Sequence, residues 1–362
     1  MNKFWYICLA GALLLSAAAC ERRPLEEPVS AVDIQVDINV EAVANVTTSV
    51  YNSHIPVPSL HPEMMRVLIY DPETRDLISQ SFLSAQSVDS VGNQVLSGHL
   101  SITYGTFDIL VYNFDTPNVH VSGENNENTI LAYTEEIPTA ERLHYAPETR
   151  SSDTDSDSGS DTKSDTKDGE SVVYNYEPDH FIVAREHNLR VSPRDTVVVI
   201  KTFAHTIIDT YYIQIHVTGL QYASSATAVI TGLSPSNYFG LDERTESPVA
   251  AVGFDLRKSR DENWPGENKE VLCALFNTFG KIPNATSDLR VTFNVIDTSG
   301  QLQQKECNLD EVFETEDAKE RHWLLVNEVF EIKKPDDPSP GQEGGFQPMV
   351  GDWDQVDSEI EL

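Results

Sequence analysis

Apolar and polar residues alternate strictly along the run VDIQVDINV at positions 32–40. A period of two places alternate side chains on opposite faces of an extended chain, so this run predicts a β-strand with one buried face. Runs of similar length recur through the chain and are separated by turn residues. They lie at 65–70, 95–103, 106–112, 171–176, 181–184, 197–203, 211–217, 226–230, 249–256, 271–276, 289–296 and 323–332.

These runs predict an all-β chain of antiparallel sheets, because almost no helical pattern separates them. The one helix-like stretch lies at 309–321, after Asn308 as a candidate N-cap. The 362-residue length exceeds what a single core normally organises, so we expect two domains in tandem. Placing the boundary near Ser192 gives a first domain at 31–192 and a second at 193–333, whose strand runs suffice for a β-sandwich.

A polar segment at 151–170 interrupts the first domain with seven carboxylates and no aromatic residue. Such a segment cannot bury apolar surface, so it predicts a disordered insertion. Asp153, Asp155 and Asp157 alternate as in a calcium-binding loop. Ser158 and Ser164 stand where a helix-loop-helix calcium site needs a glycine and a bidentate glutamate, which favours a solvated linker.

The N-terminus has the pattern of a lipoprotein signal. Residues 1–19 contain a basic start, an apolar stretch too short to span a bilayer and small residues before Cys20. Lipidation of Cys20 would hold the mature chain stably on a membrane, with 20–30 as a polar tether. No later stretch approaches the length of a transmembrane helix, so the remainder is expected to be soluble.

The C-terminal region reads as a flexible spacer followed by a strand. Residues 334–345 are rich in proline, glycine and acids, and 346–362 then carry Trp353 and an alternation of Val356, Ser358, Ile360 and Leu362 against acids. An alternating terminus has no purpose in a disordered tail, so this strand must pair with something. It either folds back on its own domain, which we favour, or joins another subunit.

Composition excludes some partners. With 58 acidic and 25 basic residues, the formal charge of -33 would repel nucleic acid and an anionic lipid surface alike. Only Cys273 and Cys307 remain outside the signal and lipid site, which is too few for a disulfide scaffold or a zinc site. One bridge between them is compatible with their spacing.

Recognisable catalytic motifs are missing from the sequence. The ten histidines include no HExxH, and there is no nucleophile elbow, phosphate-binding loop or dinucleotide glycine pattern, so we expect neither an enzyme nor a cofactor. His54 and His61 lie seven apart in a proline-rich loop, which favours a loop surface over a metal pair. Trp264, beside Pro265 and Gly266, is more often a loop plug than a sugar-stacking residue.

Four segments together resemble a known family: CERR at 20–23, TFDILVYN at 106–113, QIHVTGL at 214–220, and the text from GF at 345 to GDW at 353. They are similar to the fimbrillin-type lipoproteins of gut and oral Bacteroidales, and more closely to the DUF5119 group, relatives of FimB-like fimbrial anchor lipoproteins. The resemblance covers nearly the whole mature chain except 151–170.

The resemblance implies two transthyretin-like antiparallel β-sandwich domains in tandem and no known catalysis. It also implies a lipid-anchored position at the outer membrane, with other fimbrial subunits as partners. A polymerising shaft subunit would carry an N-terminal strand released by cleavage after a basic residue. Cleavage at Arg22 or Arg23 would sever the lipid and remove no strand, which favours an anchor. The alternative is a monomeric glycan-binding or nutrient-capture surface lipoprotein.

Overall fold

The computed structural model describes residues 32–40, 60–114, 116–147, 172–195, 197–282 and 289–335. The predicted all-β class with antiparallel sheets is confirmed over this part of the chain. The helices formed by the described residues are short: α1 (Thr139–Tyr145), α2 (Asp310–Phe313), α3 (Glu316–Arg321) and one turn of 3₁₀-helix at Leu220–Tyr222. None of them is long and apolar enough to cross a membrane.

The strands of the described residues follow one another along the chain as listed next. They are β1 (Val32–Val40), β2 (Met65–Tyr70), β3 (Leu77–Leu83), β4 (Ala85–Val88), β5 (Gln94–Ile102), β6 (Gly105–Asn113), β7 (Val119–Ser122), β8 (Leu131–Thr134), β9 (Val172–Asn175), β10 (Ile182–Val191), β11 (Val197–Thr206), β12 (Asp209–Thr218), β13 (Ala223–Leu233), β14 (Ser236–Tyr238), β15 (Glu243–Arg244), β16 (Val249–Asp255), β17 (Arg257–Arg260), β18 (Glu270–Thr278), β19 (Arg290–Asp297), β20 (Leu302–Asn308) and β21 (Trp323–Glu331).

The first domain is a sandwich of two four-stranded layers. One layer has the order β11-β1-β5-β4 and the other β3-β2-β6-β10. They are joined at one corner, where β10 pairs with β11 only through Ile182 with Thr206 and Val183 with His205. Alternate side chains of both layers meet in one apolar core, as the period-two pattern predicts.

Strand β1 lies inside its layer and not at its edge. It pairs in parallel with β11, from Asp33 opposite Val197 to Val40 opposite Ala204, and antiparallel with β5. Its apolar residues Val32, Ile34, Val36 and Ile38 are all buried, whereas the polar residues between them are partly exposed. The alternation in the sequence therefore gave the correct inner face.

The second domain repeats this topology. Its layers are β21-β12-β18-β17 and β16-β13-β19-β20, and each strand matches, in chain order, the strand at the same place of the first domain. The first strand, β12, pairs in parallel with the last, β21, as β1 pairs with β11. A fifth strand, β9, extends the second layer by pairing in parallel with β16.

Two strands belong to a different domain from the one expected. Because β11 pairs with β1, the first domain continues past Ser192 to Thr206, and the boundary placed near Ser192 is wrong. Conversely β9, expected in the first domain, lies on the second. The sequence shows that both segments are strands, but a local pattern carries no information about which distant strand a segment joins.

The insertion between β6 and β10 holds the two domains together. Its hairpin β7-β8 forms a small sheet with β14 and β15 of the second domain. Its helix α1 packs on β13 and β16 so closely that a Cβ added to Gly253 would lie 2.4 Å from the Tyr145 ring. Asn294 fixes the end of α1 by donating to the Tyr145 carbonyl at 2.7 Å.

A third apolar cluster fills the space between the domains. Phe239, from the β14-β15 hairpin, is fully buried and meets Tyr112 and Phe181 with ring centroids 5.2 Å apart in both cases. Ile207 and Ile208, the residues that join β11 to β12, belong to the same cluster. The two domains are therefore joined by a core and not only by a linker.

The helix expected at 309–321 is broken into α2 and α3. Thr315 ends the first helix and caps the second, because its Oγ1 accepts a hydrogen bond from the Ala318 amide at 3.2 Å. Asn308 bonds to the Asp310 amide, but the residue at the N-cap position is Leu309. The poor apolar spacing of the stretch is consistent with this break.

The two cysteines of the second domain are both unbridged. Cys307 lies in the core between the layers, whereas Cys273 packs with Tyr212 and Trp323 on the outer face of the β12 layer. A whole sheet separates the two environments, so the bridge that their spacing allowed does not form.

We predict that Phe239→Ala lowers the free energy of unfolding by about 3–5 kcal/mol, because it opens a cavity between the domains. Phe203→Ala is the matched control, since Phe203 is 64% exposed on β11 and its loss should cost less than about 0.5 kcal/mol. Urea titrations followed by circular dichroism measure both. Equal effects of the two substitutions would contradict the core described here.

Candidate functional site

Most of the residues singled out in the sequence lie outside the described part of the chain. These are Cys20, His54, the insertion 151–170, and the terminal residues Trp353, Val356, Ile360 and Leu362. Their roles therefore stay predictions. His61 is described and exposed, as expected for a loop surface residue.

The β1 position is the first candidate site, because it is the centre of an otherwise open layer. If β1 were removed, β11 and β5 would be separated by about 10 Å, twice the spacing of paired strands. The groove would expose the backbone groups of both neighbours and the apolar core beneath. Ile34, Val36 and Ile38 of β1 now fill it completely, each with no exposed area.

The outer edge of β11 is a second unusual feature. Among the described residues, β11 has a partner along 197–204 only on its β1 side. Val197, Val199 and Phe203 on its outer face are 51%, 50% and 64% exposed. Exposed edges of this kind are places where proteins pair with other chains.

A cavity of about 570 Å³ lies at the junction of the domains, between the end of β11 and the β14-β15 hairpin. Arg244 pairs with Asp209 at 2.7 Å, but Asp242, Glu243 and Glu246 also line the cavity. The lining side chain of Asn237 is 3% exposed, and its Oδ1 has no hydrogen-bond partner. The cavity suits a small polar ligand with hydrogen-bond donors.

One set of side chains has the residue types of a metal site: Asp108, Glu127 and His187. The Arg75 guanidinium already occupies the place of the cation, since one of its nitrogens lies 2.6 Å from Asp108 and 2.7 Å from Glu127. Asp108 also accepts a hydrogen bond from the Asn188 amide at 2.7 Å. This network fixes the bulge of β10 against the β2-β3 turn, and the residues do not fit a resident metal.

A polar cluster lies on the outer face of the β12 layer. Gln214 donates to Asp261 at 3.0 Å, and His216 lies 3.5 Å from the same carboxylate. Burial lowers the pKa of His216, and the Asp261 charge opposes that shift in part. The Trp264 ring covers His216 at 3.9 Å, so Trp264 packs as a loop plug and one of its faces is unavailable for stacking on a sugar.

The segment that returns from β9 to β10 contains a carboxyl group in an unusual environment. Glu177 accepts a hydrogen bond from the Asn277 amide at 2.7 Å, and Asn118 bonds to the Glu177 carbonyl and to Asp179. Burial raises the pKa of Glu177 to about 7, and the charges of Asp179 and Asp255 add to the effect. With 58 acids in the chain, no sequence signal marks this one.

We predict that folding stability falls as the pH rises from 4.5, the ordinary pKa of a glutamate, to about 7, where Glu177 titrates in the folded chain. Within this window the folded chain holds a proton that the unfolded chain has released, so higher pH favours unfolding. Glu177→Gln should remove that loss and gain on the order of 2 kcal/mol at about pH 8. Denaturant titrations at several pH values measure this.

The exposed Glu267, changed to Gln, is the matched control and should leave the pH profile unchanged. A Glu177→Gln profile that coincides with the unmodified protein would contradict the assigned environment.

Comparison with known proteins reveals full-length relatives. The chain is 22% identical over 391 aligned positions to a candidate fimbrium anchoring subunit, Fim4B, of Bacteroides ovatus, with 100% of this chain and 98% of the relative covered. The crystal structure of a candidate adhesin from the same species has 19% identity and a TM-score of 0.53, covering 88% of this chain and 98% of that one. That likeness shows a shared fold.

A family model also matches the chain over residues 41–255, which is more than half of its length. The matched region begins after β1 and ends with β16, so it spans the first domain, the insertion and the start of the second domain. The chain therefore belongs to the DUF5119 family, a domain of unknown function.

Proposed function

We propose that this protein is a non-enzymatic structural subunit of a fimbria-like surface assembly and serves as its membrane anchor. The full-length likeness to a fimbrium anchoring subunit supports the structural class, since it covers both domains and both chain ends. The resemblance noted in the four sequence segments points in the same direction.

The observation that carries the anchor role is the permanence of β1. No lysine or arginine lies between Arg23 and Arg66, so cleavage after a basic residue cannot release β1 while leaving the first domain intact. Arg66 itself lies within β2 and pairs with Glu124 at 2.9 Å. A subunit whose groove stays filled has no acceptor site for a donated strand there, as suits the end of a fibre.

Lipidation of Cys20 is the proposed link to the outer membrane, on the cell surface. The tether at 20–30 leads directly into β1, so the lipid and the first domain are joined by a short segment of chain. More than one acyl chain on Cys20 would make this attachment stable.

The terminal strand at 346–362 is the candidate joint to the next subunit. The chain arrives at this segment from β21, an edge strand of the second domain with β12 as its described partner. The segment can fold back on that edge or enter a neighbour, and strand addition would satisfy backbone groups in either case. The subunits that it meets in a fibre are other fimbrial proteins.

Small-ligand capture is a second candidate function, favoured by the junction cavity. The unpaired Asn237 oxygen and the surrounding carboxylates could bind the hydroxyl groups of a sugar. Binding of glycans by the purified soluble chain, lost in Asn237→Leu, would favour this function over the structural one.

We predict that Cys20→Ala moves the protein from the outer-membrane fraction to the soluble fraction of the cell envelope, because no other anchor is expected. Cys273→Ala is the control, since it removes a buried cysteine and leaves the lipid site intact. Fractionation in cells that lack fimbrial partners measures the outcome. Retention of the Cys20 variant in salt-washed membranes would refute the lipid anchor.

We predict that affinity capture of the native protein from its own outer membranes recovers fimbrial subunits, and that Val356→Asn with Ile360→Asn abolishes their recovery if the terminal strand is the joint. Asp357→Asn with Glu359→Asn changes the opposite face of the same strand and is the matched control. Capture of no fimbrial subunit by the unmodified protein would refute the proposed function.

A further inference from the structure

The first and last strands of each domain are adjacent and parallel. In the first domain, β1 and β11 share eight residue pairs, from Asp33 with Val197 to Val40 with Ala204. In the second domain, β12 and β21 pair from Tyr212 with Trp323 to Thr218 with Glu331, with one irregularity after Ile215. The chain therefore enters and leaves each domain at opposite ends of one parallel ladder.

This arrangement decides how tension on the chain ends would act on the domains. A pull on the N-terminal end of β1 and on the C-terminal end of β11 is directed along both strands. The inter-strand hydrogen bonds lie across that direction, so they are stressed together and must break together. A pull on two ends that lie side by side would break the same bonds one after another.

The connection between the domains passes tension on without a flexible linker. Only Ile207 and Ile208 separate β11 from β12, and they are 8% and 0% exposed. Ile207 donates to the Phe181 carbonyl at 3.0 Å, and Ile208 donates to the Thr206 hydroxyl at 3.0 Å. The end of one ladder is thereby fixed to the start of the next.

The sliding strands are also held by the cores. Ile34, Val36 and Ile38 of β1 are fully buried, and so are Ile213, Ile215 and Val217 of β12. Both strands have a second neighbour, β5 and β18 respectively, which adds an antiparallel ladder on the other side. Sliding either strand by one residue would place polar side chains in the core.

We infer that both domains are mechanical clamps that resist tension applied between the two ends of the chain. For an anchor, this is the direction in which a fibre pulls against a lipid at Cys20, so the biological use of the clamps rests on the proposed function. The resistance itself follows from strand order and register and does not depend on a partner.

Single-molecule stretching of the lipid-free chain, from residue 21 to the C-terminus, tests the inference. In one arrangement the handles are attached at the two chain ends, which loads both parallel ladders by sliding. In the other, the handles are attached at the N-terminus and at Arg194→Cys, an exposed turn residue beside the start of β11. The second arrangement pulls the neighbouring N-terminal ends of β1 and β11 apart.

The native cysteines leave this labelling selective, because burial raises the pKa of the Cys273 thiol and raises that of Cys307 to about 11. We expect every end-to-end unfolding event to need at least about twice the force measured in the side-by-side arrangement at the same pulling speed, since forced unfolding follows the unfolding barrier. Both arrangements use the same fold and differ only in the direction of the load.

Equal unfolding forces in the two arrangements would overturn the inference and leave the anchor proposal untouched. Conversely, a higher end-to-end force with no fimbrial subunit in the capture experiment would keep the clamps and refute the anchor role. The two failures are therefore distinguishable.

Discussion

The first domain depends on the position of β1 between β11 and β5. Its four buried apolar residues form one side of the core, and its backbone links two strands that would otherwise be about 10 Å apart. The same constraint recurs in the second domain, where β12 lies between β21 and β18. In each domain the first strand of the chain therefore completes the sheet, and its retention or removal decides whether the domain is closed or open.

The two domains behave as one body because the insertion between β6 and β10 crosses between them. It supplies a hairpin, a helix and a strand to the far side, and the aromatic cluster around Phe239 fills the junction. Several acids that crowd this region are neutralised by specific partners, such as Asp108 and Glu127 by Arg75. Others, such as Glu177, are accommodated by a raised pKa. A rigid junction of this kind suits a protein that joins a membrane to an assembly.

The sequence predicted the strands well because burial on one face leaves a period of two, as the residues of β1 show. It could not predict that β11 joins β1 or that β9 joins β16, since pairing depends on contacts far apart in the chain. The Arg75 network was also inaccessible to sequence reasoning. It requires a left-handed backbone at Arg75 and a bulge in β10, and neither leaves a recognisable composition. The helix break at Thr315 shows a milder case, in which a local cap overrode a helix-like stretch.

The central claim is that β1 stays in the mature, assembled protein. Intact-mass measurement of the protein extracted from its own outer membranes tests this claim most directly. We predict a chain that begins at an acylated Cys20 and still contains residues 32–40. A chain that begins between β1 and β2, without the lipid, would show that the groove is opened and would contradict the anchor account.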